Sequence, residues 1–428
     1  MNHVFVSVPE GAAGTLFSSP DSDLFRFRYG IDAAAGAAIA YGMPVRVEEY
    51  AGHGLMPVFQ MNMPEGFMLE QIRNRLAKST PLNPMLLLAI TGSVDPIGRI
   101  TVTAPGLNQM ADLGGDPKGL RLDEILAWDG AENLFDMLLE KYVMRAGISG
   151  VQPKLLLPVI ESKATAVIGE FIVKSQGRDY PHLAINEYLC MSIARQAGLD
   201  VPEFHLSKDH QLFVMRRFDR VDGQRLGFED MAVLTGRGTA QKYDGSYEML
   251  AKAVRMFCAP ESVQSSLDAL YRSVVVSCVV GNGDAHLKNF GILYSTPFAG
   301  DARLAPAYDI VNTTAYISED ALALSLAGNK SFFASRLGLL EFAKSCGVDD
   351  PAQVIEQTLE SVELVLSQHQ HLAQLAPAVA NGIARSARDF DTTFRGSRIA
   401  MFKQMHNRVT EGAAVDECSS PSPKGPRL

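Results

Sequence analysis

The chain has 428 residues, 47% of them hydrophobic and 20% charged, with a formal net charge of -9. That is ordinary for a globular protein of two or three domains with a large core. The acidic balance argues against gripping nucleic acid over the whole surface, no apolar run approaches the ~20 residues of a membrane span, and the N-terminus lacks a basic segment leading into a long apolar one. The 5 cysteines show no C-x-x-C and no paired spacing. They read as core thiols in a reducing compartment, the cytoplasm, rather than as a disulfide set or zinc site.

Residues 1–110 read as a small mixed unit. Leu24 to Tyr29 alternates as a strand does, and Leu69, Ile72 and Leu76 share one helical face. Met85 to Ile90 predicts an apolar helix, and Ser93 to Gly98 is turn chemistry leading into a strand. Residues 105–130 are polar and Gly-rich, a linker or exposed loop, and a helix is expected after it over 134–139.

Residues 111–225 hold a second group of strands. Arg145 to Lys154 carries Gly147 and Gly150 and opens onto Leu155 to Leu157. A glycine turn lets backbone N–H groups approach phosphate, although the Walker A spacing is missing and such a turn is more often a plain hairpin. Lys174 ends a β-branched strand, where an inward lysine can pair phosphate oxygens and an outward one is merely a solvated edge. The next predicted helix, 184–197, carries Glu187 in its first turn, within possible reach of Lys174. The strand after it exits through Arg216, Arg217 and Phe218.

Residues 226–412 are mainly helical by periodicity, with one helix expected over 372–390 and a strand over 321–326, and residues 413–428 read as a disordered tail. Inside this region lies the run Gly281-Asn282-Gly283-Asp284-Ala285-His286-Leu287-Lys288-Asn289. It follows a helix whose buried face is marked by Leu267, Leu270, Tyr271, Val274 and Cys278, and it precedes a short apolar strand from Phe290. A polar loop between two core elements is where catalytic side chains commonly sit. Phosphoryl transfer needs a carboxylate to orient the accepting hydroxyl, an oxygen ligand for Mg²⁺, and a cation near the moving group. Asp284 can be the base, Asn289 the metal ligand, and His286 or Lys288 the helper; a capped turn is the plainer reading. Asp309, 25 residues beyond Asp284 in another apolar run, favours the catalytic one. A strand pair would bring both carboxylates to one magnesium site, as in protein kinases.

In this order, Gly150 to Lys154, Asn186-Glu187-Tyr188, Arg217 to Arg220, Glu229-Asp230-Met231, Asp284 to Asn289 and Tyr308-Asp309 resemble the HipA family of serine/threonine kinase toxins from bacterial toxin–antitoxin pairs. The resemblance implies an α+β fold: a two-lobed, protein-kinase-like body with an N-terminal mixed subdomain and a mainly helical C-lobe. It implies ATP and Mg²⁺, with Asp284 as base and Asn289 and Asp309 as metal ligands. Lys174 would hold phosphate, and Ser149, Gly150, Val151, Gln152, Pro153 and Lys154 would cover the nucleotide. Arg216 to Phe218 would line the adenine, with His286 and Tyr308 close to ATP. The implied partners are a protein substrate, aminoacyl-tRNA synthetases being known targets, and a helix-turn-helix antitoxin that carries the complex to operator DNA.

Two positions depart from the family pattern. Gly147 stands where family members often carry the loop serine whose phosphorylation silences them, so self-inactivation either moves to Ser149 or is absent. A phosphoserine there would add about -1.5 to -2 charges against the phosphates of ATP. Arg216 stands where a glutamate is found in the best-known member, which matters little if adenine meets the backbone there. A small-molecule kinase of the aminoglycoside-phosphotransferase kind and a non-catalytic DNA-regulatory subunit are the alternative readings.

Overall fold

The structure is a computed structural model that describes residues 2–19, 22–66, 69–70, 72–73, 83–92, 96–104, 122–128, 154–161, 167–175 and 180–395, with backbone alone for 154–161 and 167–170. The glycine loop from Ser149 to Pro153, the expected helix over 134–139 and the tail lie outside these residues.

The N-terminal part is an antiparallel sheet of five strands. Their order is Tyr50–His53, Leu24–Tyr29, Gly11–Ser18, His3–Val8 and Thr101–Thr103. Val4, Val6 and Val8 alternate inward, as do Phe25, Phe27 and Tyr29, so one face of the sheet meets the helix Pro84–Thr91. Asn83 caps that helix by accepting from the Leu86 N–H.

A second antiparallel sheet has the order Lys154–Glu161, Val167–Ser175, Leu212–Arg216 and Phe204–Leu206. The helix Leu183–Gln196 lies against it. Ile185, Leu189 and Ile193 of this helix join the same apolar cluster as Leu270, Val274 and Phe342 of the helices Val263–Val280 and Phe332–Cys346. The sheet and the helical region therefore share one core. Cys190, Cys258, Cys278 and Cys346 are buried in it as free thiols. Among the described residues no helix is long and apolar enough to cross a membrane.

Two expectations are corrected. Residues 321–326 form isolated bridges, Ser246 to Ser325 and Leu326 to Asn329, and not a strand. Leu322, Leu324 and Leu326 are buried in the apolar core, but among the described residues their backbone meets only single bridge partners and no strand ladder. The helix expected over 372–390 is divided at Ala376, giving Gln370–Leu375 and helical backbone over 377–395. The break precedes Pro377, which lacks an N–H and disfavours helical backbone in the residue before it.

Glu229 joins the N-terminal sheet region to the strand pair Gly227–Asp230 and Gly291–Tyr294. It accepts from the Tyr41 N–H at 2.9 Å and the Tyr294 hydroxyl at 2.6 Å, while its Oε2 is buried with no partner. Burial pushes the carboxyl up to about 7 despite these two donors. Between the ordinary value of 4.5 and about 7, the folded chain keeps a proton that the unfolded chain has released, so stability falls as pH rises through that window. Glu229→Gln should flatten this dependence and gain on the order of 1–3 kcal/mol relative to wild type above about pH 7. Urea midpoints taken from about pH 5 to about pH 8 check it; parallel curves for the two proteins would refute it.

Candidate active site

The loop from Gly281 to Asn289 is fixed by its own backbone requirements. Helix Val263–Val280 ends at Gly281, whose φ is 74°. A Cβ there would stand 2.5 Å from Ser386 Oγ and 2.9 Å from Thr314 Oγ1, so glycine serves both conformation and space. The Gly283 N–H donates to Thr313 Oγ1, and the Asp284 N–H to Asn282 Oδ1. The chain then makes one 3-10 turn, Leu287–Asn289. The His286 N–H donates to Asn289 Oδ1 at 3.2 Å, and the Asn289 N–H to the His286 carbonyl at 3.0 Å.

The side chains of the loop face different surroundings. Asp284 is half exposed, 49% for its side chain, and accepts from the Tyr243 hydroxyl at 2.8 Å. His286 is buried, and burial pulls its ring down to about 4 against the attraction of Asp284. It is therefore neutral near pH 7, its Nε2 lies 3.9 Å from Asp284 Oδ1, and its Nδ1 is buried without a partner. Lys288 turns to Glu65 of the N-terminal region at 3.0 Å, with Lys242 at 3.6 Å from the other Glu65 oxygen. The Tyr308 hydroxyl donates to the Lys288 carbonyl at 2.7 Å.

Asn289 and Asp309 line one small cavity together with Asn282 and Tyr308. Asp309 adopts φ 60°, a left-handed backbone uncommon for any side chain but better tolerated by aspartate than by most. Its Oδ1 accepts from Lys174 Nζ at 2.5 Å, and the same ammonium donates to Glu187. Lys174 and Glu187 are almost fully buried, whereas Asp309 keeps 21% of its side chain in contact with solvent. Burial would lower the Lys174 ammonium, but Asp309 and Glu187 outweigh it and hold it above the ordinary lysine value.

Asn312 is a connector that periodicity does not mark. It is fully buried, and its side chain donates to the Val280 carbonyl and to Thr314 Oγ1 and accepts from the Ala315 N–H. Its backbone exchanges two bonds with the Asn186 amide, each at 2.8 Å. One residue thus ties the end of the helix before Asp284, the segment after Asp309 and the helix that carries Glu187.

The remaining predicted positions divide. Phe218 and Tyr308 meet, ring centroids 5.2 Å apart, and Phe228 touches both, at 5.4 Å from Phe218 and 6.2 Å from Tyr308. Arg216 points elsewhere: it pairs with Glu203 at 2.8 Å and lies over the Phe171 ring. Lys154 sits opposite Lys174 in the strand register. Asn289 and Asp309 offer amide and carboxylate oxygens, donors that suit a small hard cation retaining water or phosphate ligands.

Two family models match the chain. The HipA N-terminal domain matches over residues 4–103 and the HipA-like C-terminal domain over residues 146–366. A Sinorhizobium fredii protein named "Putative kinase Y4dM" is 28% identical over 72% of this chain and 74% of its own length. A Haemophilus influenzae protein named "Putative kinase" is 30% identical over 52% of this chain and 75% of its own. Among solved structures, a chain of the Shewanella oneidensis toxin–antitoxin complex of HipA, HipB and operator DNA matches with a TM-score of 0.60. It covers 91% of this chain and 96% of that chain at 18% identity, a likeness of fold.

Proposed function

The chain belongs to the HipA family, and on that premise we propose that it is an ATP-dependent serine/threonine protein kinase, the toxin of a toxin–antitoxin pair. The observation that carries this reading is the meeting of three separated sequence segments. Lys174 of the second sheet contacts Asp309, and Asp309 shares a cavity with Asn289 of the loop that presents Asp284.

Asp284 is the base. Its half-exposed carboxylate can accept the hydrogen bond and then the proton of an incoming hydroxyl. Asn289 and Asp309 would hold Mg²⁺, which when bound supplies charge neutralisation to the phosphate oxygens. Lys174, kept charged by its two carboxylates, is oriented by Glu187 to receive phosphate. Phe218 and Tyr308 offer an aromatic surface for adenine, and Arg216 contributes there through its backbone. Neutral His286 stands beside the base without adding charge. Ser149 to Lys154 would cover the phosphates, and Ser149 is the proposed site of self-phosphorylation.

The substrate we propose is a protein of the translation machinery such as an aminoacyl-tRNA synthetase. The partner is a helix-turn-helix antitoxin through which the complex reaches operator DNA, in keeping with the HipA, HipB and DNA assembly of the structural relative. The test is release of ADP and transfer of labelled phosphate by the full chain with Mg·ATP. Asp284→Asn should lower the rate by about 10²–10⁴-fold, and chelating the divalent cation should abolish it. Equal rates for wild type and Asp284→Asn would end the kinase reading.

A further inference from the structure

Among the described residues, Tyr243 alone makes a hydrogen bond to the Asp284 carboxylate. Its phenol donates to Asp284 Oδ1 at 2.8 Å, the relation that an accepting hydroxyl must adopt toward its base. The rest of the residue is held firmly. Lys330 donates to the Tyr243 carbonyl at 3.1 Å and to the Ala323 carbonyl at 2.8 Å, anchoring the backbone. The ring stands edge-on to His286, centroids 5.1 Å apart, and the Lys242 ammonium lies over it at 5.4 Å. Yet Tyr243 is itself 42% exposed, so an incoming group can reach the contact from solvent.

We propose that the Tyr243 hydroxyl occupies the acceptor position on Asp284, and that a substrate hydroxyl or water reaches the base only by displacing it. Tyr243 is a positioning residue and not a nucleophile. Burial, Asp284, Glu65 and Asp320 together keep its phenol protonated well above the ordinary range, so it donates steadily and is not activated to attack phosphate. Displacement requires that the ring swing toward solvent and leave His286 and the Lys242 ammonium, while the backbone anchor, which does not depend on the hydroxyl, stays in place. Water and a substrate hydroxyl each replace the lost donor, but only a protein acceptor can also contact the exposed tyrosine ring and so offset the cost of moving it. The contact therefore favours macromolecular acceptors over hydrolysis of ATP.

The inference rests on Asp284 being the base, and the experiment separates the two claims. The full chain is given Mg·ATP with water as acceptor, and ADP release is followed for wild type, Tyr243→Phe, Tyr243→Leu and Asp284→Asn. Loss of the phenol should raise kcat for hydrolysis by about 10–150-fold, the span expected for freeing a charge-assisted hydrogen bond, with KM for ATP unchanged. A merely structural tyrosine would lower kcat or shift KM when replaced. If both Tyr243 variants hydrolyse ATP at or below the wild-type rate while Asp284→Asn is inactive, the placeholder is wrong and the base assignment stands. If wild type and the Tyr243 variants all fail to turn over ATP, both claims fall together.

Discussion

Lys174→Met should destabilise the fold by about 3–5 kcal/mol, because it leaves Glu187 buried without its ammonium. Asp309 suffers less, since 21% of its side chain meets solvent. The double replacement Lys174→Met with Glu187→Leu should recover most of the loss, as an apolar pair no longer carries an uncompensated charge. Midpoints of urea unfolding for the four members of the cycle check this. A single variant as stable as wild type would mean that Glu187 is not held as an ion. The direction with pH is fixed by the raised lysine. Its contribution is fully present below the unfolded lysine value of 10.5 and is lost as pH rises through the higher folded value. Phosphate transfer should fail in both variants, which separates the charge needed for chemistry from the charge balance needed for folding.

Asp219→Ala is the second large loss, again about 3–5 kcal/mol. Its carboxylate is buried and accepts from Arg217 at 2.9 and 2.7 Å, from Arg220 at 2.7 Å and from the Gly98 N–H at 2.7 Å. Arg217 and Arg220 also donate to the Pro96 carbonyl, so this centre fastens the 96–98 turn to the exit of strand Leu212–Arg216. Burial would raise the acid, but the arginines and the Gly98 N–H prevail and hold it below the usual aspartate value of 3.8. Its stabilisation is present above that value and is lost as pH falls through the lower folded one. Urea unfolding and limited proteolysis of the turn should both report the change. Insensitivity to ~0.5 M salt would distinguish this buried centre from a screened surface pair. A loss below about 1 kcal/mol would show that the centre is exposed in solution.

The sequence disclosed what has a local signature. Leu24 to Tyr29 alternates and forms a strand; the helix before Gly281 shows its buried face at three- and four-residue steps. Asp284, Asn289 and Asp309 were visible because acidic and amide residues interrupt apolar runs. Glu187 and Lys174 could be paired only through the likeness to kinases. Asn312, Tyr243 and Glu65 were not visible. Each is a common polar residue whose role comes from partners 32, 41 and 223 positions away in the chain. Arg216 illustrates the opposite limit. Its position at the strand exit was legible, but the Glu203 carboxylate that turns its guanidinium aside comes from the preceding strand region. The missing strand at 321–326 has the same cause, since an apolar run does not say whether sheet or helices will surround it.

The backbone at Asp309 narrows what can replace that residue. Aspartate and asparagine are the side chains that best tolerate a φ of 60°, because a short polar group can bond locally where a longer one crowds the carbonyl. Two independent demands, an anionic oxygen and a left-handed peptide, therefore select the same amino acid. Asparagine meets the second without the first, and glutamate the first without the second. An exchange that looks mild on a table of acidity is, at this point in the chain, a change of main-chain geometry.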